Sequence, residues 1–384
     1  MNKSNKMCAL LSNVTTSDRM GTLTNERPVA TLPFDCKYRL LDFPLSAVAN
    51  AGIRDVFMVF NQGETQSVFD HIGGGKEWGL DSLSSNMFIY MAQDFENRKA
   101  AGKPYFEQQI NFLKKSGAPY TVLMSSKFIC NFDLDAILQI HKQSGKKVTA
   151  VAKKADISEF NNFDTVVRYD DDNRLYSVEY GDLSGNDMLE ETEYLLLNTF
   201  IVDTDWLIDF IQHMQDNGEY SSISHLLRQH LWDTDPNLYE FTGYMSNITS
   251  IKAYYDANMA MLDPANFTAL LYGRQPVYTK IKNEVPTYFA TNSWAHNSQF
   301  GSGCIVEGVV IDSLISRGST IGNSTLIDKS LIFTNVVVKH GAQVKYAIVD
   351  KNVTIEEGIH VEGTAANPVV IEKGTTVTES IYQS

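Results

Sequence analysis

Cysteine is scarce in this chain of 384 residues: Cys8, Cys36, Cys130 and Cys304 lie far apart, and no C-x-x-C pair occurs. That spacing argues against a disulfide framework or a zinc ribbon and reads as structural thiols in a reducing cytosol. Long apolar runs are missing as well. The five-residue run from Met7 to Leu11 follows two lysines and is too short for a signal peptide, and no later run approaches a membrane span. The expected location is cytoplasmic. Positive charge is in deficit, with 32 Lys and Arg against 46 Asp and Glu and a formal net charge of −14. Nucleic acid and anionic membrane both require a basic surface, so neither is expected as a partner, and a phosphate-bearing ligand must be met by a local cluster of cations.

The most informative absence is glycine in one turn. Met7 to Leu11 reads as a buried first strand of a parallel sheet, and the turn after it, the usual place for a phosphate cradle, is Ser12-Asn13-Val14-Thr15-Thr16-Ser17-Asp18. A backbone that brings several N–H groups to a polyphosphate needs positive φ angles and no Cβ in the way, which Val14 and Thr15 do not offer. Asp18 adds a like charge facing any phosphate.

The length exceeds what one core usually organises, and 43% hydrophobic with 20% charged residues describes an ordinary globular protein of two domains. Up to about residue 260, apolar strand-like runs (Val56–Phe60, Thr121–Met124, Val148–Val151, Tyr194–Leu197) alternate with helical patterns at 106–115, 134–143 and 206–214, the second ending at Gly145. This predicts a doubly wound α/β domain with a mostly parallel sheet. After Pro276 the period changes. Ile315, Ile321 and Ile327 are six apart, as are Ile332, Val338 and Val344, and Val349, Ile355 and Val361; the joins between runs are five. A six-residue aliphatic period, with Gly318, Gly322 and Gly341 at turns, predicts a parallel β-helix of three short faces per coil. The expected domains are 1–261 (α/β), 262–295 (connector, with Pro264, Pro276 and Pro286) and 296–384 (β-helix).

The segments Arg19-Met20-Gly21-Thr22-Leu23-Thr24-Asn25-Glu26-Arg27-Pro28-Val29, Lys37-Tyr38-Arg39-Leu40-Leu41-Asp42-Phe43 and Leu45-Ser46-Ala47-Val48-Ala49-Asn50-Ala51-Gly52-Ile53 resemble the start of bacterial ADP-glucose pyrophosphorylase, glucose-1-phosphate adenylyltransferase. The likeness continues through Ile348 to Ile355 and covers nearly the whole chain. It implies a nucleotidyltransferase-like α/β domain followed by a C-terminal left-handed parallel β-helix.

Catalytic members of that family carry a GGxGxRL loop followed by RxKP. Here Arg19 is in place, but Val14, Thr15 and Ser17 fall on the glycines and Val29 on the lysine. Two family motifs, of the types AGDHIYKxDY and WxDVGTIxxY, each supply a carboxylate for Mg²⁺. The matching stretches, 124–134 and 245–254, put Ser126 and Asn247 at those positions. A VEKP-type motif supplies a sugar-phosphate lysine, and the stretch Ser177-Val178-Glu179-Tyr180-Gly181-Asp182-Leu183 has Asp182 near it. The GTADAV motif has no counterpart in residues 102–108. The nearby Asp133 and Asp135 read instead as residues at the start of the 134–143 helix, where the dipole favours negative charge.

This pattern resembles the family's non-catalytic regulatory subunit, the D-type partner of the catalytic C-type subunit in some Gram-positive bacteria. It implies a catalytically silent regulatory subunit that assembles, two of each, with a catalytic glucose-1-phosphate adenylyltransferase subunit in glycogen synthesis. No cofactor is expected on this subunit, and Mg²⁺ belongs at the catalytic partner. The lysine matching Lys37 is associated in the family with phosphorylated activators, so Lys37 and Arg39, with Arg317, are the effector candidates, for a phosphorylated sugar. The alternative for Lys37 and Arg39 is surface pairing with Asp35 and Asp42. Arg19, Gln62 and Gly75 are vestigial nucleotide-site candidates, although Gly73-Gly74-Gly75 before Trp78 also suits a plain turn. Two other functions fit less well. One is a weakly active adenylyltransferase using Arg19, Gln62 and a loosely held metal. The other is a hexapeptide-repeat acyltransferase using His296, His340 or His360, which leaves the α/β domain unexplained.

Overall fold

The computed structural model describes residues 6–14, 19–61, 65–156, 160, 164–170, 172, 174–180, 192–282 and 284–384. The chain divides into two units: Met1–Thr15, Phe43–Met245 and Arg274–Tyr278 form the first, and Thr16–Asp42, Ser246–Gly273 and Thr279–Ser384 the second.

In the first unit, β1 (Met7–Asn13), β2 (Asp55–Phe60), β3 (Asn86–Met91) and β4 (Tyr120–Met124) are followed by β5 (Val148–Asp156), β6 (Thr165–Tyr169), β7 (Leu175–Tyr180), β8 (Thr192–Asp203) and β9 (Asn237–Glu240). Among the described residues they make one sheet of order β7-β6-β8-β4-β1-β2-β3, with β5 pairing β8 and β9. The expected parallel core is present: β1 runs parallel to both β2 and β4, and β2 to β3. Beyond β4, the twelve-residue β8 runs antiparallel to β4, β5 and β6.

Helices α1 (Ala92–Ala100), α2 (Glu107–Ser116), α3 (Leu134–Ser144), α4 (Thr204–Asp216) and α5 (Ile223–Gln229) lie in this unit. Ile110 and Leu113 of α2 and Leu207 and Ile211 of α4 join Leu10, Phe57, Leu123 and Phe200 of the strands in one buried cluster. Each such side chain contributes about 1.5–3 kcal/mol by leaving water. Asp133 caps α3, its carboxylate accepting from the Ala136 N–H at 3.0 Å, and Gly145 ends the helix at φ +66°, as the sequence predicts.

The β-helix forms the larger part of the second unit, as three parallel sheets of six, six and five short strands among the described residues. All nine aliphatics of the sequence pattern are at most 1% exposed. Ile315 pairs with Ile332, Ile321 with Val338, and Ile327 with Val344, so the coil is seventeen residues long. The five-residue joins are therefore not breaks in the period but the third, shorter corner of each coil.

Coils stacked this closely leave no room at some corners. A Cβ on Gly308 would stand 2.0 Å from the Thr325 hydroxyl and 2.8 Å from the Gly322 carbonyl, both main-chain or tightly held atoms of the next coil. Gly308→Ala is expected to cost at least about 1–3 kcal/mol of stability, read as a lowered calorimetric midpoint.

Residues 19–42 pack within this unit. The Arg27 guanidinium pairs with Asp350, the Tyr254 hydroxyl donates to the Pro33 carbonyl, and the Tyr255 hydroxyl donates to the Lys329 carbonyl at 2.6 Å. No helix among the described residues is long and apolar enough to cross a membrane.

Candidate functional site

In an open α/β sheet, ligands meet the carboxyl ends of the strands where the strand order reverses. Here β1 is flanked by β4 on one side and β2 on the other, so that point lies at the ends of β1 and β4. Asn13 is the last residue of β1, and Ser126 follows β4 by two residues. Both are 4% exposed, and the Ser126 hydroxyl donates to the Asn13 Oδ1 at 2.7 Å. Beside them Lys127 is ion-paired with Asp164, whose side chain is fully buried. The strand ends are thus bonded to one another through the protein's own side chains.

Magnesium prefers near-octahedral oxygen ligands with at least one carboxylate. Among the described residues the donors at this place are a neutral hydroxyl already committed to Asn13, a neutral amide and an aspartate neutralised by lysine, a set that does not fit the ion. No group of three or more His, Cys, Asp or Glu side chains capable of holding a metal occurs among the described residues. Asn247 ends the short strand Met245–Asn247 and belongs to the second unit, whereas Ser126 belongs to the first.

The other sequence candidates fall in separate places. Gln62, Asp182 and turn residues 15–18 lie outside the described residues. Arg19 is exposed, and its carbonyl accepts the Ile251 N–H that opens the Ile251–Met259 helix. Gly75 is buried at φ +79°, where a Cβ would meet Leu80 at 2.8 Å, so its role is to close the turn that buries Trp78. His296 and His340 are exposed and His360 half-buried, with His296 lying flat on Trp294 at 5.7 Å between ring centres.

The second unit holds a concentration of cations, notable in a chain of net charge −14. Lys351 is pushed down to about 7, first by burial and then by the charges of Arg39 and Arg27, with Lys373 adding to them and Asp350 opposing. Lys282 is lowered by partial burial and by Arg317, Lys280 and Arg39, against Glu284. Arg39 is therefore common to both groups. It links Arg27, Lys351 and Lys373 on one side with Lys280, Lys282 and Arg317 on the other. Arg317 also pairs with Glu284, Lys373 with Glu26, and Arg27 with Asp350.

Two of the three effector candidates, Arg39 and Arg317, are brought into this cluster. Lys37 is exposed, its ammonium 5.2 Å from the Tyr38 ring centre. Asp35 and Asp42 are buried, at 4% and 0% exposure, rather than on the surface. Asp42 accepts the Arg39 backbone N–H at 2.9 Å. The Asp35 carboxyl is pushed up to about 7 by burial, against a Gln299 hydrogen bond and the Lys37 charge. Lys351 and Lys282 escaped a sequence reading because nothing local marks them. They converge only through the coiling of the chain.

Comparison with known proteins agrees with this architecture. Residues 16–263 match the nucleotidyl transferase family and residues 285–380 the GlmU-like C-terminal hexapeptide family, in keeping with a left-handed β-helix. The chain is 26% identical over 372 residues to the "Glycogen biosynthesis protein GlgD" of Bacillus subtilis (strain 168), covering 96% of each. It is 27% identical over 380 residues to the protein of the same name from Geobacillus stearothermophilus, covering 98% of this chain and 99% of that one. A "Glucose-1-phosphate adenylyltransferase" of Clostridioides difficile (strain 630) is 26% identical over 329 residues, 83% of each chain. With a match over most of its length, on a sheet whose strand order places the crevice where that fold expects it, the chain belongs to the nucleotidyl transferase family.

Proposed function

We propose that the chain is a regulatory, catalytically silent subunit of glucose-1-phosphate adenylyltransferase, acting in glycogen synthesis beside a catalytic subunit in a heterotetramer. The observation that carries this reading is the Ser126–Asn13 hydrogen bond at the adjacent ends of β1 and β4, two neutral side chains where nucleotidyl transfer needs charge. The reaction concentrates negative charge on attacking and leaving oxygens, and cations held by carboxylates must offset it. Such a subunit changes its partner's turnover by contacting the partner's active and inactive states unequally. Mixed with a catalytic subunit, the chain is expected to co-elute with it and to change its rate of pyrophosphate release. Separate elution with unchanged activity would contradict the role.

The cation cluster around Arg39 is proposed as the place where a phosphorylated sugar effector reports to the complex. Lys351 gives this a measurable signature. With its pKa brought down to about 7, Lys351 is largely neutral above that pH, and an anion that binds beside it must bring a proton with it. Affinity for sulfate, whose charge is constant over the range, is expected to fall up to about tenfold per pH unit above 7 and to be flat below it. Titration calorimetry of wild type and Lys351→Met checks this, since the variant should lose the slope.

A further inference from the structure

The second unit carries an open groove of about 510 Å³ that no part of the proposed function uses. One side is the helix Ile251–Met259 and the turn after it, through Tyr255, Met259 and Leu262. The other is a single corner of the β-helix, where Asn297, Asp312, Lys329 and Tyr346 follow one another on successive coils. All four corner residues are in the left-handed region, at φ +42°, +44°, +44° and +46°. The other left-handed positions of the β-helix are filled by small residues such as Gly318, Asn335 and Asn352, which tolerate that backbone. Lysine and tyrosine gain nothing from it, and strain held by a bulky side chain points to a role for that side chain. The coil also departs from its repeat at this corner. Val349 pairs with Ile371, 22 positions on, whereas Ile332 pairs with Val349 at 17. The added residues form the Thr364–Asn367 turn, closed by two backbone hydrogen bonds of 3.1 Å, and place Ala365 on the groove.

The chemistry of the walls selects the occupant. Among the described residues Lys329 is the only cation lining the groove, and its ammonium stands 3.9 Å from Asp312 and 4.0 Å from Asp328. With Asp263 also on the wall, the groove offers no excess positive charge to a phosphate. What it offers is a half-buried aromatic ring beside a row of amide, carboxylate and ammonium groups. The Asn297 Nδ2 donates to the Asp312 Oδ1 at 2.8 Å, and the Lys329 ammonium lies 5.7 Å from the Tyr346 ring centre. The Lys329 and Asp312 side chains are 42% and 30% exposed, within reach of a ligand. An apolar ring face flanked by donors and acceptors fits the C–H and O–H surfaces of a pyranose. Four corners at the usual strand spacing span about 14 Å, roughly three sugar rings. We propose that this groove binds a short neutral oligosaccharide of hexoses, one ring lying against Tyr346 and its neighbours hydrogen-bonded to Lys329, Asp312 and Asn297.

Maltotriose and cellotriose, which differ only in the linkage of their three glucose rings, serve as probes. In ligand-observed NMR titrations of the full chain, saturable binding of at least one is expected, and the better of the two identifies the linkage the corner accepts. Tyr346→Asn puts at this corner the residue that Asn335 and Asn352 provide at other left-handed positions. The variant should therefore keep or raise the wild-type calorimetric midpoint while binding the trisaccharide at least about tenfold more weakly. Lys351→Met, in the cation cluster, should bind it as wild type does, so that this site and the effector site stand or fall separately. No saturable binding of either trisaccharide, equal affinity in Tyr346→Asn, or binding lost in Lys351→Met would overturn the proposal. So would a lowered midpoint in Tyr346→Asn, because the tyrosine would then be there for packing.

Discussion

Purified alone and given ATP, Mg²⁺ and glucose 1-phosphate, the chain is expected to release pyrophosphate at least about 10⁴-fold more slowly than a catalytic relative. Removing one strong electrostatic contributor usually costs about 10²- to 10³-fold in rate. Here more than one is missing. Ser126 and Asn247 replace carboxylates in the resemblance, and the turn of residues 12–18 has no glycine with which to approach a polyphosphate. The structure adds a further obstacle, because Ser126 is held by Asn13 and the neighbouring Lys127 by Asp164. A single substitution should therefore not revive the site. Ser126→Asp restores one carboxylate while Asn247 stays neutral and the turn stays without glycine, and is expected to leave the rate within about tenfold of the starting value, in the same coupled pyrophosphate assay. A rate in the range of the catalytic relative, from either protein, would defeat the silent-subunit reading.

The largest effect on stability is expected at Arg27. Its guanidinium and the Asp350 carboxylate are 6% and 2% exposed, and they pair across more than three hundred residues of sequence. The Arg27 Nε also donates to the Leu23 carbonyl at 2.9 Å, and the guanidinium carbon lies 5.9 Å from the Phe333 ring centre. Arg27→Met would leave Asp350 buried with its main charge partner gone, a loss of about 3–5 kcal/mol. Calorimetry should then show a midpoint lower by roughly 6–15 °C. The double variant Arg27→Met with Asp350→Leu should recover most of that loss, because apolar side chains of similar size fill such a site about as well as the pair does. Equal midpoints for wild type and Arg27→Met would show that this pair does not hold residues 19–42 in place.

How much of this was legible beforehand depended on whether the signal was local. The β-helix was visible because its aliphatics recur at a fixed step, and its core depends on nothing else. Helix α3 was visible for a similar reason, with Asp133 and Gly145 marking its ends. The antiparallel course of β8 was not, since direction leaves no mark on a strand whose two faces are both largely buried. At the crevice, sequence gave the identities of Ser126 and Asn247 but not the bond to Asn13 or the Lys127–Asp164 pair, both of which join residues far apart in the chain. The same limit applies to the cation cluster. Arg39 stood out through its motif, whereas Lys351 and Lys282 become relevant only when coiling brings them within reach of its charge.

A crystal grown or soaked with ATP, Mg²⁺ and glucose 1-phosphate tests the central claim most directly. The account predicts that Ser126 stays bonded to Asn13, that Lys127 stays paired with Asp164, and that no divalent ion is seated at the ends of β1 and β4. A metal ion coordinated there, with the triphosphate in line with a bound sugar phosphate, would contradict it.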